Sequence, residues 1–344
     1  MAKKSILITG GAGFIGNAFV KHLYKKYPNY KIFVLDALTY AGDAENFSES
    51  TKKDKRFNFW YGNVKNINIV DKLVAQCDVV VHMAAETHVA RSIFDDTIFF
   101  ETDVMGTQVV AGCVLKHYKT IERFIHVSTS EVYGTALKAP MTEEHPLNPT
   151  TPYASAKCGA DRLVYSYWAT YNLPVIILRP FNNYGPFQHL EKVIPRFITN
   201  AILNEPLTVH GTGQNTRDWT FVEDTCAVMD RAVHGNIKRL KGEVINIGSG
   251  NDVSINNVAQ LVLEIMDKSN SLIKHVGDRP GQVSRHISST VKSKKLLRWK
   301  ASTKFEEGLR KTISWYEDNR DWWQKLLWMR SVPIITEKGK VEYR

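Results

Sequence analysis

Short apolar runs alternate with longer amphipathic segments along the first half of the chain. Runs of about five consecutive apolar residues are typical of parallel strands that are buried on both faces. Segments in which apolar residues recur every three or four positions are typical of helices, and Ile15–Lys26 and Gly106–His117 are two of them. The order of elements predicts an α/β fold, a doubly wound parallel sheet covered by helices. The predicted strands are Ile6–Thr9, Lys31–Asp36, Phe57–Tyr61, Val79–Met83, Arg123–Ser128 and Val175–Arg179.

The pattern changes after residue 180, where loops rich in Asn, Gly and Pro appear and the predicted helices, Val193–Leu203 and Asn256–Met266, are short. We expect one domain over residues 1–180 and a smaller, mixed α/β domain over residues 181–325. Val244–Ile247 is expected to return to the first sheet, within a segment that spans residues 219–250. Residues 326–344 are charged and aperiodic, which predicts a loosely ordered tail.

Composition narrows the class of protein. The 344 residues are 43% apolar, which suffices for a substantial core, yet no stretch reaches the roughly 20 apolar residues of a membrane span. The start of the chain lacks the apolar core of a signal peptide, so we expect a cytoplasmic protein. The net charge of +10 is dispersed, and it indicates neither a nucleic-acid nor a membrane partner. Four scattered cysteines and the lack of a metal-ligand pattern predict no disulfide framework and no metal.

A glycine-rich turn joins the first predicted strand to the first predicted helix, with glycines at positions 10, 13 and 16. Such glycines permit a tight turn and let a pyrophosphate approach the backbone, while the helix N-terminus offers N–H groups and a positive dipole end. The turn therefore predicts a Rossmann-type dinucleotide site. Its candidate contacts are Gly10, Gly13, Phe14, Ile15 and Gly16.

An acidic residue, Asp36, ends the second predicted strand, twenty residues beyond Gly16. A carboxylate at this position can accept hydrogen bonds from both hydroxyls of an adenosine ribose, and its charge repels a 2′-phosphate. The pattern therefore favours NAD over NADP as the cofactor.

Two further segments carry groups suited to catalysis. Ser128, Thr129 and Ser130 end a buried strand, and Tyr153 and Lys157 lie four residues apart, on one face of a predicted helix. A lysine ammonium beside a phenol stabilises the phenolate, so the tyrosine can act as a base near neutral pH.

With these residues the chain resembles the extended short-chain dehydrogenase/reductase family, and within it the dTDP-glucose 4,6-dehydratases and related nucleotide-sugar dehydratases. The likeness runs from about Lys4 to Trp323. It implies an NAD-binding first domain and a second domain that binds a dTDP- or UDP-linked sugar. The stretches that carry the likeness are Leu35–Gly42, Ala84–Val89, Asn182–Pro186, Glu191–Pro195, Arg217–Trp219, Arg279–Gly281 and Trp315–Trp323.

The resemblance also implies roles for the catalytic candidates. Tyr153 would take the proton of the sugar C4 hydroxyl, Lys157 would bind the nicotinamide ribose, and Thr129 would bond the C4 oxygen. Glu131 would take the C5 proton, which the 4-ketone acidifies. The dehydratases hold an aspartate immediately before this glutamate as the acid for the C6 hydroxyl, and here that position is Ser130, a poor proton donor.

This departure leaves several functions open. We expect a 4,6-dehydratase-like lyase acting on a dTDP- or UDP-hexose such as UDP-GlcNAc. The alternatives are a UDP-glucuronate decarboxylase-like enzyme, an enzyme that acts on a UDP-sugar 5,6-ene, and a C4 epimerase, none of which must expel a hydroxyl. An inactive NAD-binding scaffold is the non-enzymatic alternative, and the presence of Thr129, Tyr153 and Lys157 argues against it.

The resemblance implies further binding residues and a partner. The substrate candidates are Asn183, Lys192 and Arg217 for the diphosphate, together with Arg279. The decarboxylase alternative needs a cation beside the uronate carboxylate, for which Arg279 and Arg285 are the candidates. Asn63, Val64 and Ala84 are expected along the cofactor. Relatives form homodimers through two helices of each subunit, which here would be the helices at residues 106–117 and 154–171.

Overall fold

The computed structural model describes residues 3–278, 281–335 and 340–343. Its strands begin and end close to the boundaries predicted for the first half of the chain. They are β1 (Ser5–Thr9), β2 (Lys31–Asp36), β3 (Phe57–Tyr61), β4 (Val79–His82), β5 (Arg123–Val127), β6 (Val175–Pro180), β7 (Asn182–Tyr184), β8 (Leu207–His210), β9 (Thr216–Phe221), β10 (Val244–Ile247), β11 (Asp252–Ser254), β12 (Ile273–Val276), β13 (Pro333–Ile335) and β14 (Val341–Tyr343).

The helices alternate with the strands and cover both faces of the main sheet. They are α1 (Phe14–Lys26), α2 (Glu49–Lys53), α3 (Ile67–Val74), α4 (Val89–Phe94), α5 (Thr97–Phe99), α6 (Thr107–Lys116), α7 (Pro152–Tyr171), α8 (Val193–Ile202), α9 (Val222–His234), α10 (Ile237–Leu240), α11 (Ile255–Ile265), α12 (Val291–Leu297), α13 (Phe305–Asp318) and α14 (Arg320–Gln324). A π-helical segment, Phe100–Gly106, joins α5 to α6, so this helix begins earlier and is wound more loosely than its sequence pattern predicts.

The main sheet is parallel, with the strand order β10-β6-β5-β4-β1-β2-β3. Ile6 and Ile8 pack against the helices on one face, and Leu7 packs on the opposite face, as expected for a strand that is buried on both sides. The predicted α/β class is thus confirmed, and β10 joins the sheet beside β6 as expected.

The order of the strands creates a crevice at one place. β1 pairs with β2 on one side and with β4 on the other, so the connections after β1 and β4 run in opposite directions. In open α/β sheets, ligands bind outside the carboxyl ends of the strands at such a switch point. The functional site is therefore expected above the ends of β1 and β4.

The second half of the chain has its own core, in which α8, α11 and α13 pack around β8 and β9. Two small sheets belong to it, with the orders β11-β9-β7 and β12-β8. β7 follows β6 after a single residue. The second half of the chain therefore lies directly next to the carboxyl end of the main sheet.

Within residues 326–344, for which the sequence predicts a loosely ordered tail, the described residues include regular elements. Leu327–Arg330 forms a 3-10 turn, and β13 pairs with β14 in an antiparallel hairpin. Val332 is buried against Ala90 of α4, which connects this segment to the body of the protein. Elsewhere, Thr97–Lys116 is long and apolar enough to cross a membrane, and half of it is buried inside the fold.

Candidate functional site

A cavity opens at the carboxyl ends of the main-sheet strands, beneath the second half of the chain. It brings together every candidate site residue within the described part of the chain, although their positions span more than two hundred residues; Arg279 lies outside the described residues. The candidates that line it are Gly10, Gly13, Phe14, Ile15, Gly16, Asp36, Asn63, Val64, Ala84, Thr129, Ser130, Glu131, Tyr153, Lys157, Asn183, Lys192 and Arg217.

The glycine turn is closely packed on one side and open on the other. Gly10 has a φ of +71°, and a Cβ there would lie 2.7 Å from the Ala84 nitrogen. A Cβ at Gly16 would lie 2.1 Å from the Gly10 carbonyl oxygen, whereas one at Gly13 would meet nothing closer than 3.5 Å. Helix α1 begins directly after this turn without a side-chain cap, so its first N–H groups face the cavity side. The turn therefore fits a pyrophosphate.

Asp36 is buried at the end of β2 with its carboxylate on the cavity. Its Oδ2 accepts a hydrogen bond from the Ala12 N–H at 2.8 Å, and its Oδ1 accepts one from the Leu38 N–H at 2.9 Å. Burial raises the pKa of Asp36, while these two N–H groups lower it. Each oxygen keeps a lone pair for a further donor, as a ribose diol requires.

Replacement of Asp36 by asparagine should lower NAD affinity by roughly 10- to 100-fold, since a hydrogen bond to a charged group contributes about 1.5–3 kcal/mol. The asparagine NH₂ would also face a backbone N–H, because both carboxylate oxygens accept from backbone donors. Titration calorimetry of protein stripped of nucleotide measures the change. Asp54→Asn, which removes a carboxylate bonded to Tyr24 and Arg56, is the control; equal NAD affinity in both variants would contradict the role of Asp36.

The remaining cofactor candidates continue the same wall of the cavity. Asn63 follows β3, and its side-chain oxygen accepts the Lys65 N–H at 2.9 Å, so its NH₂ group can donate to an acceptor in the cavity. Val64 is buried against Gly106, where a Cβ would come within 2.6 Å of it. Ala84 donates its N–H to the Thr9 hydroxyl at 3.2 Å, which ties the end of β4 to the end of β1.

Helix α7 carries Tyr153 and Lys157, and two features hold it in place. The Thr151 hydroxyl accepts the Ala154 N–H at the start of the helix, and Pro152 takes the first turn. Further along, Asp161 accepts two hydrogen bonds of 2.9 Å from Arg179 of β6, and both side chains are buried. A buried ion pair of this geometry fixes the helix against the sheet.

Tyr153 and Lys157 share the cavity-facing side of α7, as predicted. Lys157 donates to the Val127 carbonyl at 3.0 Å, and burial lowers its pKa. Burial also raises the pKa of Tyr153 well above its usual range, the charge of Asp103 raises it further, and a hydrogen bond with Thr129 lowers it. The structure thus differs from the expectation that Lys157 lowers the phenol pKa, because the ammonium is committed to a carbonyl at the end of β5.

Asp103 contributes to this environment although the sequence indicates no role for it. It lies in the π-helical segment, fully buried, and accepts the Glu86 N–H at 2.8 Å. Burial raises the pKa of Asp103 to about 7, against the charge of Lys157. A buried carboxyl of this kind titrates near neutrality, close to the Tyr153–Lys157 pair.

Thr129, Ser130 and Glu131 form the turn that follows β5. The Thr129 hydroxyl accepts the Glu131 N–H at 3.2 Å and so caps a 3-10 turn over Ser130–Tyr133. Ser130 and Glu131 both face the imidazole of His286, a buried residue that no sequence motif indicates. The turn therefore places two hydroxyls and one carboxylate on the wall of the cavity.

The substrate candidates lie on the side formed by the second half of the chain. The Asn183 amide donates to the Phe181 carbonyl at 2.9 Å and accepts from the Thr225 hydroxyl. Lys192 donates to the Thr87 carbonyl at 2.7 Å. Arg217 is buried on β9, and its guanidinium donates to the Thr216 carbonyl at 2.9 Å. Lys192 and Arg217 thus bring positive charge to the cavity, which suits a diphosphate.

Sequence reasoning missed Glu191 as a functional position, although it lies in a motif quoted for the family likeness. Its fully buried carboxylate accepts from Tyr40 and from Arg91, both at 3.0 Å, with His88 at 4.0 Å and His189 at 3.9 Å. Burial raises the pKa of Glu191, but the positive charges around it lower this pKa to about 2. The groups that lower it are His88, Lys192, His189 and Arg91. The cluster joins both halves of the cavity wall, which no local pattern reveals.

Replacement of Glu191 by glutamine should destabilise the protein at neutral pH by about 3–5 kcal/mol, because Arg91 would be left without its buried partner. The folded-state pKa of about 2 lies below the ordinary 4.5, so this contribution exists above pH 4.5 and is lost as the pH falls toward 2. Urea unfolding across this range should show the two proteins converging at low pH. Glu205→Gln, at a half-exposed pair with Arg330, should cost under about 1 kcal/mol; a constant gap between wild type and Glu191→Gln would contradict the assignment.

The parallel sheet, the glycine turn, the carboxylate at the end of β2 and the tyrosine–lysine pair together define a short-chain dehydrogenase/reductase of the extended class. The chain belongs to the family described as GDP-mannose 4,6 dehydratase, whose model matches residues 7–312.

Similar proteins support the same family. The chain is 42% identical to the low-salt glycan biosynthesis protein Agl12 of Haloferax volcanii, over 90% of this chain and 98% of the relative. It is 38% identical to a dTDP-glucose 4,6-dehydratase of Streptomyces niveus, over 93% and 95%. The crystal structure of the dTDP-glucose 4,6-dehydratase DesIV from Streptomyces venezuelae, with NAD bound, superposes with a TM-score of 0.88 at 37% identity, over 94% and 99% of the two chains.

Proposed function

We propose that this protein is an NAD-dependent nucleotide-sugar 4,6-dehydratase-like lyase that acts on a dTDP- or UDP-linked hexose such as UDP-GlcNAc. The observation that carries the proposal is that Tyr153, Thr129 and Glu131 line the same cavity as the glycine turn and Asp36. The family and the dehydratase relatives support the same chemistry.

The residues of the cavity fit NAD. The open side of Gly13 and the first N–H groups of α1 suit the pyrophosphate, and Asp36 suits the adenosine ribose. When bound, NAD supplies the hydride acceptor for C4 and the hydride donor for C6, and its oxidised ring adds a positive charge to the cavity. That charge favours the phenolate of Tyr153, whose pKa burial otherwise raises.

The first chemical task of the protein is to remove the C4 hydroxyl proton. Tyr153 takes this proton, and the Thr129 hydroxyl donates to the C4 oxygen and orients it. Lys157 holds a buried positive charge four residues along the helix, and it would bind the nicotinamide ribose. The result is a 4-keto sugar.

The second task is to remove the C5 proton. The neighbouring ketone acidifies C5, because the electron pair of the C–H bond delocalises into an enolate. Glu131 takes this proton from the wall that also carries Thr129. The C6 hydroxyl must then leave as water, and Ser130 lies where related dehydratases hold a carboxylic acid.

A decarboxylase is the second candidate, because Ser130 is the feature that separates this chain from the dehydratase pattern. A 4-keto uronic acid loses carbon dioxide without an acid for a leaving hydroxyl. That route requires a cation beside the C5 carboxylate. Arg285 is half exposed and pairs with Asp252 at 2.8 Å, which directs it away from this task. Arg279, the other candidate for this role, lies outside the described residues. The family and the dehydratase relatives give the dehydratase proposal the stronger support.

Product analysis separates these functions. Purified enzyme is incubated with dTDP-glucose, UDP-GlcNAc or UDP-glucuronate, and the nucleotide sugars are followed by mass spectrometry. Loss of water from a hexose is the expected result. Loss of carbon dioxide from the uronate, or an isomer of unchanged mass, would replace the proposal by the decarboxylase or the epimerase.

We further propose a homodimer in the cytoplasm. Ile98, Phe100 and Met105 are exposed apolar side chains on the helical stretch that leads into α6, and Tyr171 is exposed at the end of α7. Burial of these side chains against a second copy would remove an apolar surface from water. Sedimentation velocity of the purified protein tests the assembly, and a monomer at micromolar concentration would contradict it.

A further inference from the structure

We infer that Glu131, His286 and Ser130 form a proton relay, which carries the proton taken from C5 to the departing C6 hydroxyl. The inference rests on the proposed dehydratase function and explains how that function proceeds with a serine in place of the carboxylic acid.

His286 is fully buried behind the wall that holds Ser130 and Glu131. Its backbone N–H donates to the Thr216 carbonyl at 3.1 Å, which fixes the segment before α12 against β9. The imidazole Nδ1 lies 3.4 Å from the Ser130 Oγ and 3.7 Å from the Glu131 Oε1. One nitrogen thus faces both of the groups that elimination requires.

The other ring nitrogen determines the protonation of the first. Nε2 lies 2.7 Å from the Gly134 carbonyl oxygen, and a carbonyl only accepts hydrogen bonds. The proton of the neutral ring therefore lies on Nε2, and Nδ1 is an acceptor that points at Ser130 and Glu131. Phe181 covers the ring from the side, with its centroid at 5.9 Å.

Burial is the main reason that the ring stays neutral between turnovers. Burial lowers the pKa of His286, the charge of Glu131 raises it, and the charges of Arg217 and His145 lower it. A neutral ring can accept a proton from a carboxylic acid and pass it on, and the carboxylate left behind stabilises the brief imidazolium.

Transfers among these three residues account for every proton that the elimination moves. Glu131 takes the C5 proton, and the C–H electrons form the enolate. The new carboxylic acid transfers its proton to Nδ1 of His286. Ser130 then gives its hydroxyl proton to the C6 oxygen and takes the Nδ1 proton in return. The enolate electrons form the C5=C6 double bond, the C6–O pair leaves with water, and all three residues regain their starting states.

His286→Gln tests the relay, because glutamine can still donate to the Gly134 carbonyl but offers no titrating Nδ1. The holoenzyme variant should still oxidise C4 and exchange the C5 hydrogen in D₂O within a few-fold of wild type, while water elimination falls by roughly 100-fold or more. His234→Gln is the control, because this histidine contacts Tyr30 and the Asp230 carbonyl outside the cavity, and it should keep elimination within a few-fold.

Rescue distinguishes a relay from a structural role. Ser130→Asp supplies the acid directly, so the double variant Ser130→Asp/His286→Gln should regain elimination to within about ten-fold of wild type. A double variant that stays inactive, or a His286→Gln variant that loses C4 oxidation equally or eliminates at the wild-type rate, would overturn the relay.

A measurement independent of turnover completes the test. Nitrogen-15 NMR of the labelled holoenzyme should show His286 neutral and protonated at Nε2 at neutral pH; a proton on Nδ1 would overturn the relay whatever the substrate. If wild-type enzyme releases no water from any hexose but decarboxylates UDP-glucuronate, the proposed function fails and the relay fails with it. If water is released and His286→Gln has no effect, only the relay fails.

Discussion

Tyr153→Phe is expected to reduce C4 oxidation by roughly 10²- to 10⁴-fold, the range that a positioned general base contributes. The phenol oxygen is the only part of the side chain that the substitution removes. The ring is buried and packs edge-on against Phe99, with centroids 6.2 Å apart, and phenylalanine keeps this contact. The fold and the cofactor site should therefore survive while the reaction stops at its first step.

The measurement for Tyr153→Phe is the near-ultraviolet absorbance of reduced nicotinamide after rapid mixing with the nucleotide sugar. Tyr165→Phe, on the same helix but outside the cavity, is the matched control and should behave as wild type. Copurified NAD and an unchanged unfolding temperature would show that the variant is folded. Wild-type formation of reduced cofactor in Tyr153→Phe would remove this tyrosine from the mechanism.

Glu131→Gln should lower product formation by a similar factor, roughly 10²- to 10⁴-fold, but at a later step. Glutamine has the shape of glutamate and leaves the Thr129 cap intact, because that bond uses the Glu131 backbone N–H. C4 oxidation does not need the carboxylate, so reduced cofactor should still form. The C5 hydrogen should no longer exchange, since the amide cannot accept a proton at neutral pH.

Deuterium incorporation at C5, measured by mass spectrometry of the recovered sugar, reports this step directly. Glu144→Gln, an exposed carboxylate from the nearby loop, is the control and should leave exchange unchanged. Equal loss of reduced cofactor in the Tyr153 and Glu131 variants would refute the division of labour between them. With His286→Gln, these variants separate oxidation, proton removal and water loss into three measurable stages.

The sequence was sufficient for features that arise from neighbouring residues. The strands β1, β2 and β3 begin and end within one residue of the predicted positions, because short apolar runs are typical of strands buried inside a parallel sheet. The glycine turn and the shared face of Tyr153 and Lys157 follow from the spacing of residues in a turn and a helix.

Other features of the site could not be predicted because they join distant parts of the chain. His286 is separated from Ser130 by 156 positions, and Glu191 from Arg91 by 100. The residues that flank His286 and Glu191 in the sequence do not indicate these partners. The hydrogen bond that Lys157 donates to the Val127 carbonyl of β5 likewise depends on how α7 packs against the sheet.

By itself the amino-acid sequence determined the α/β class, the dinucleotide turn and the identity of the groups that can move protons, since hydrophobic period, glycine placement and side-chain chemistry are properties of short segments. Only the tertiary structure decided the strand order, the burial of Glu191 and the meeting of Glu131, His286 and Ser130. Those depend on the path of the chain between elements, and burial then sets the pKa values and hydrogen-bond partners on which the chemistry relies.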